Sequence, residues 1–245
     1  MDRMAPRTGV AAVALTAVAL LAGCSASSSP SATGSSRPAA TATRTPRTSS
    51  AGIVPPKPRP PAQAQALPVD PGAGARPQTR QFPSTRSKAF RNAMTDVWLA
   101  VTTGSPGFGR PAFFPETAYA KVKAVGNPEA DWTGRLWLDF ELDVRAAHRV
   151  VGSQARLLRV DIAPSSEAAW VPPGYCYNYV GYWHINGTRL VYDAGGQERS
   201  IGIASLISWR GVWYVVHFGG VIRPAVGIVD DPETGPGVPG PAGGC

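Results

Sequence analysis

The chain has 245 residues with 25 Pro and 27 Gly, about a fifth of the total, and only 16% charged residues; that excess of Pro and Gly excludes one globular enzyme filling every position. Three Cys are too few for a disulfide-dense scaffold or a four-thiolate zinc site, and the lack of long apolar runs beyond the N-terminal segment excludes a polytopic membrane protein. The net charge is +8, and where that charge sits decides what it means.

Residues 1–23 read as a secretory signal. Arg3 and Arg7 supply a positive start, Val10 to Leu21 an apolar stretch, and Ala22 and Gly23 the small residues a peptidase needs. The stretch ends in Leu21-Ala22-Gly23-Cys24, which resembles the lipobox of bacterial lipoproteins. The resemblance implies diacylglyceryl transfer to the Cys24 thiol, cleavage between Gly23 and Cys24, and acylation (palmitate in kind) of the new amino terminus. A single acyl chain holds a membrane weakly, whereas two or three hold it stably. The alternative is an ordinary secreted protein in which Cys24 keeps a free thiol.

From residue 24 to residue 83 the chain is rich in Ser, Thr, Ala and Pro and nearly devoid of large apolar residues, so a disordered tether is expected there. Seven basic residues (Arg37, Arg44, Arg47, Lys57, Arg59, Arg76 and Arg80) stand against one acid, Asp70, a net +6, while residues 84–245 carry only +1. The basicity belongs to the tether and gives no argument for a nucleic-acid-binding domain, so no nucleic-acid partner is expected. Outside the cytoplasm a basic tether would meet anionic lipid headgroups or anionic wall polymer, or serve only to keep a spacer soluble.

Residues 84–228 read as one α+β domain of about three helices followed by about five antiparallel strands, with a Gly/Pro-rich tail over 229–245. Ser84 is placed to cap the first helix, whose stripe of Phe90, Ala93, Met94, Val97, Trp98 and Val101 has helical period. A second helix is expected over 115–124, stopped at Gly126-Asn127-Pro128, and a third over 131–151. After Gly152 the period becomes two, with a strand over 155–162. Asn186-Gly187 predicts a hairpin between 177–185 and 188–192, and Arg210-Gly211 a second between 199–209 and 212–218.

The closing segment ISWRGVWYVVHFG, residues 207–219, resembles the last hairpin of NTF2/SnoaL-like domains. The resemblance implies a cone in which helices pack into the concave side of a curved, cystatin-like sheet and an aromatic-rich strand lines a pocket. The domain as a whole also resembles a family of actinobacterial lipoproteins, which carries no activity over to it.

The thiols besides Cys24 are Cys176 and Cys245. In an oxidising space an even pair suggests a disulfide that pins the tail near residues 175–179; the alternative is two unpaired thiols. Asp139 and Asp143 lie a helical turn apart with His148 following, a spacing conceivable for acid/base work but more often that of a solvated helix face, here balanced by Arg135, Arg145 and Arg149. His184 and His217 fall near strand ends. Tyr182, Trp209, Trp213 and His217 are the candidates for lining a ligand pocket, against plain sheet packing. Zinc, nucleotide and calcium motifs are absent from the sequence, so neither a metal nor a cofactor is expected.

These readings lead to a lipid-anchored module on the outer face of a bacterial cytoplasmic membrane, binding a small ligand or a protein partner without turnover. The alternatives are a structural envelope protein, or a small hydrolase or isomerase using Asp139 or Asp143 with His148 or His217.

Overall fold

The computed structural model describes residues 65–219, 227, 229 and 232–237. The signal segment, Cys24, the tether up to residue 64 and Cys245 lie outside the described residues. Helices and an open antiparallel sheet of six strands make an α+β fold.

The first helix, α1 (Lys88–Thr103), starts at Ser87 rather than Ser84. The Ser87 hydroxyl accepts the N–H of Phe90 at 3.1 Å and so satisfies a donor the first turn leaves open, while Ser84 accepts from Arg86 in the turn before. Gly104, left-handed at φ 66°, ends the helix. The next helix, α2 (Glu116–Val122), is shorter than expected. Asn127-Pro128, read as a stop, is a start: Asn127 Oδ1 accepts the N–H of Ala130 at 3.0 Å, and Pro128 takes the first helical position, where its missing N–H costs nothing. From α3 (Pro128–Asp131) the chain passes through a π-helical stretch (Trp132–Trp137) into α4 (Leu138–Val151). The i→i+5 turn brings Trp132 and Trp137 into a stack, 5.8 Å between ring centres and 8° between planes. The Arg110 guanidinium lies 4.8 and 4.9 Å from these two rings.

The strands are β1 (Arg156–Asp161), β2 (Ala169–Val171), β3 (Tyr182–Ala194), β4 (Gln197–Trp209), β5 (Val212–His217) and β6 (Glu233–Thr234). The order is β1-β3-β4-β5, with β2 paired to the start of β3 and β6 to β4. No hairpin forms at Asn186-Gly187. β3 runs on through both residues, with Gly187 at φ 66° and its neighbours Asn186 and Thr188 still paired to Ser205 and Ile203. The turn lies at Gly195-Gly196, φ 65° and 89°, the two left-handed residues that a two-residue hairpin needs. A turn at residue 186 would strip Leu190, Val191 and Tyr192 of the β4 partners among which they are buried. The second expected hairpin forms at Arg210-Gly211, φ 54° and 76°.

The domain begins before residue 84. Residues 65–83, expected as tether, lie against the sheet and α1. Gln78 donates to the carbonyl of Ser208 at 3.0 Å and accepts the N–H of Arg210 at 2.6 Å, and Phe82 packs edge-on against Trp183 and Trp213 at 5.1 and 5.9 Å. Composition conceals this because the hold is mostly polar and made to backbone groups. The tail is partly built in as well: β6 pairs with β4, and Glu233 meets the buried Arg189 at 3.0 Å.

Candidate functional site

A cavity of about 570 Å³ lies between a helical wall and the sheet, inside the range of roughly 300–1,000 Å³ usual for small-molecule sites. Its sheet wall follows from register. Asn186 on β3 is paired with Ser205 on β4, and Ser205 with His217 on β5, so the three stand in one row across adjacent strands. His184, two residues before Asn186, shares their face, and its Nε2 lies 2.8 Å from the Ser205 hydroxyl. All four line the cavity. His217 gets there through a bulge: Leu206 pairs with Val215 but Ser205 with His217, so Val216 is the extra residue, and the local kink re-aims His217.

The helical wall is cationic. Arg135, on the π-helical stretch, donates twice to Asp131 at 2.8 and 2.6 Å and once to the Tyr119 hydroxyl at 2.9 Å. The Tyr119 hydroxyl in turn donates to Asp131. The Arg135 guanidinium holds the Asp131 carboxyl below the usual carboxylate range, while burial pushes the Tyr119 hydroxyl up. Lys123 closes α2 and is half-buried; its ammonium donates to the carbonyl of Cys176 at 3.0 Å and makes no ion pair among the described residues. Burial, and then the nearby Arg135 charge, lower its pKa. Phe114, Val122, Leu136 and Ile207 supply apolar surface between these groups, and among the described residues no carboxylate lines the cavity.

The rim is the loop after β2. Cys176 and Tyr177 both take left-handed backbones, φ 52° and 55°, a conformation costly for residues with a Cβ. Surrounding bonds hold it: the N–H of Ala124 donates to Tyr177 at 2.8 Å and that of Tyr179 to Val122 at 2.7 Å. Cys176 is disulfide-bonded, and its partner lies outside the described residues.

Of the pocket candidates, Tyr182 and His217 line the cavity. Trp209 and Trp213 do not. Trp209 is buried against Phe114, and Trp213 faces the other side of the sheet, toward Phe82 and Ile185. Asp139, Asp143 and His148 are not brought to the cavity either. Asp143 is buried and accepts the N–H of Gly227 at 2.8 Å, His148 Nδ1 bonds the carbonyl of Val101 at 2.8 Å, and Asp139 sits half-buried on the same helix. The residues that build the site were legible only in part. Alternation of His184 and Asn186 is a visible signal, but the Asn-Gly turn reading cut their strand in two. The cations of the helical wall left no motif.

Among the described residues no group of three or more His, Cys, Asp or Glu is placed to hold a metal, and no helix is long and apolar enough to cross a membrane. Comparison with protein-family models, with curated proteins and with solved structures finds no match.

Proposed function

We propose that this chain is a lipid-anchored extracytoplasmic binding module. Cys24 carries the anchor at the outer face of a bacterial cytoplasmic membrane, residues 24–64 form the tether, and the α+β domain holds a small organic molecule without turnover. The observation that carries the binding reading is the cavity of about 570 Å³, lined by a polar row on three strands and a cationic helical wall. The anchor rests on Leu21-Ala22-Gly23-Cys24 directly after an apolar stretch. Five basic residues and no acid lie between residues 24 and 64, which favours contact of the tether with anionic headgroups or wall polymer. The NTF2/SnoaL-like cone is supported by the placement of the cavity under the helices.

The binding reading is tested by fluorescence of the neutral apolar probe phenylnaphthylamine with the full chain carrying Cys24→Ala. Val216→Phe, which fills the cavity from β5, should abolish the signal while leaving the circular dichroism unchanged. Equal probe binding by the variant would contradict the reading.

A further inference from the structure

We infer that the ligand of this cavity is a small organic anion, met by Lys123 with Arg135 beside it. The inference rests on the binding reading above and adds the ligand's chemical class.

Among the described residues the lining carries two cations, two imidazoles and no carboxylate, so an anionic ligand would find several partners there and a cationic one none. The two cations differ. Arg135 already has its charge answered by the bidentate contact with Asp131. Lys123 makes no ion pair among the described residues: it feels the Asp131 carboxylate only across space, and its hydrogen bond there is to the carbonyl of Cys176, leaving ammonium donors for something else. An ammonium partly drawn out of water without a counter-ion in direct contact is costly to fold around, and part of that cost is recovered when an anion arrives. Proteins keep such a group where it is used, and a π-helical stretch such as the one that carries Arg135 is also a frequent mark of functional sites.

The remaining walls fix the rest of the ligand. Phe114, Val122, Leu136 and Ile207 suit an apolar ring or short chain. The His184–Ser205 pair and Asn186 make the sheet wall polar. An anion joined to an apolar body of modest size satisfies every surface.

The test uses a matched pair of probes, anilinonaphthalene sulfonate and phenylnaphthylamine, which share a ring skeleton and differ by the sulfonate. They are titrated into the full chain carrying Cys24→Ala, alone and with Lys123→Gln, Lys123→Arg or Val216→Phe. The sulfonate probe should bind more tightly than the neutral one, and Lys123→Gln should weaken it about tenfold, the scale of one charge-assisted hydrogen bond, with the neutral probe unchanged as a check on folding. Lys123→Arg should retain most of the preference. Equal affinities for the two probes, or no effect of Lys123→Gln on the sulfonate probe, overturn the anion assignment and leave the cavity reading intact if Val216→Phe still blocks both. Binding of both probes that Val216→Phe does not touch overturns the cavity reading and the inference with it.

Discussion

The indole N–H of Trp209 donates to the carbonyl of Ala73 at 2.8 Å, joining the last residue of β4 to a segment 136 positions earlier. Both residues are buried, so a stretch with the composition of a linker is part of the core. Trp209→Phe keeps the ring against Phe114 but removes this bond, leaving the Ala73 carbonyl only the N–H of Arg76 at 3.1 Å, and should cost about 1 kcal/mol in denaturant unfolding. A chain beginning at residue 84 loses Gln78 and Phe82 as well and should melt well below the full chain. Equal melting temperatures would show that residues 65–83 contribute nothing.

Asp96 on α1 is wholly buried. One oxygen accepts the N–H of Leu67 at 2.7 Å and the other has no partner among the described residues, and burial pushes its pKa up to about 6 against an ordinary 3.8. The folded state therefore prefers the protonated acid. The stabilisation is full below the ordinary pKa and is lost as pH rises through about 6, so this group alone makes the protein more stable by about 2 kcal/mol on going from about pH 7 to about pH 4. Carboxylates with lowered pKa, such as Asp131, act in the opposite direction. The readout is thus the difference between wild type and Asp96→Asn: the variant should lose the acid-side gain, and parallel pH profiles would contradict it.

The β3–β4 turn makes its own demand. Gly195 and Gly196 both have positive φ in the two-residue hairpin, which Asn tolerates and a β-branched residue does not. Gly195→Asn should be close to neutral, whereas Gly196→Val should cost about 1–2 kcal/mol, read from the unfolding midpoint. Equal effects would place the turn elsewhere.

That hairpin shows where sequence reading succeeds and where it stops. Arg210-Gly211 was legible because a turn signal there coincides with the ends of two apolar runs. Asn186-Gly187 carries an equally strong local signal and is overruled, since ten paired positions along β3 and β4 outweigh one turn preference. α1 and the run into α4 were legible from their apolar stripes, but caps moved by a few residues because several Ser and Asn stood in reach. Among the cavity-lining residues, His217 and Tyr182 stand in an aromatic context that is visible in the sequence. Lys123 was not, because its neighbourhood is made by the loop around Cys176, more than fifty positions away in sequence.

The anchor and the disulfide are one question. Cys176 is disulfide-bonded, and the chain holds only two other cysteines, Cys24 and Cys245. Acylation of Cys24 leaves Cys245 as the partner. The most direct measurement is mass spectrometry of the membrane-extracted chain, intact and as a non-reduced peptide map. The expected result is an amino-terminal Cys24 peptide carrying a diacylglyceryl group, lost in Cys24→Ala, together with a Cys176–Cys245 cross-linked peptide that reduction separates. A Cys24–Cys176 cross-link, or an unacylated chain released into the medium, would contradict the lipid anchor.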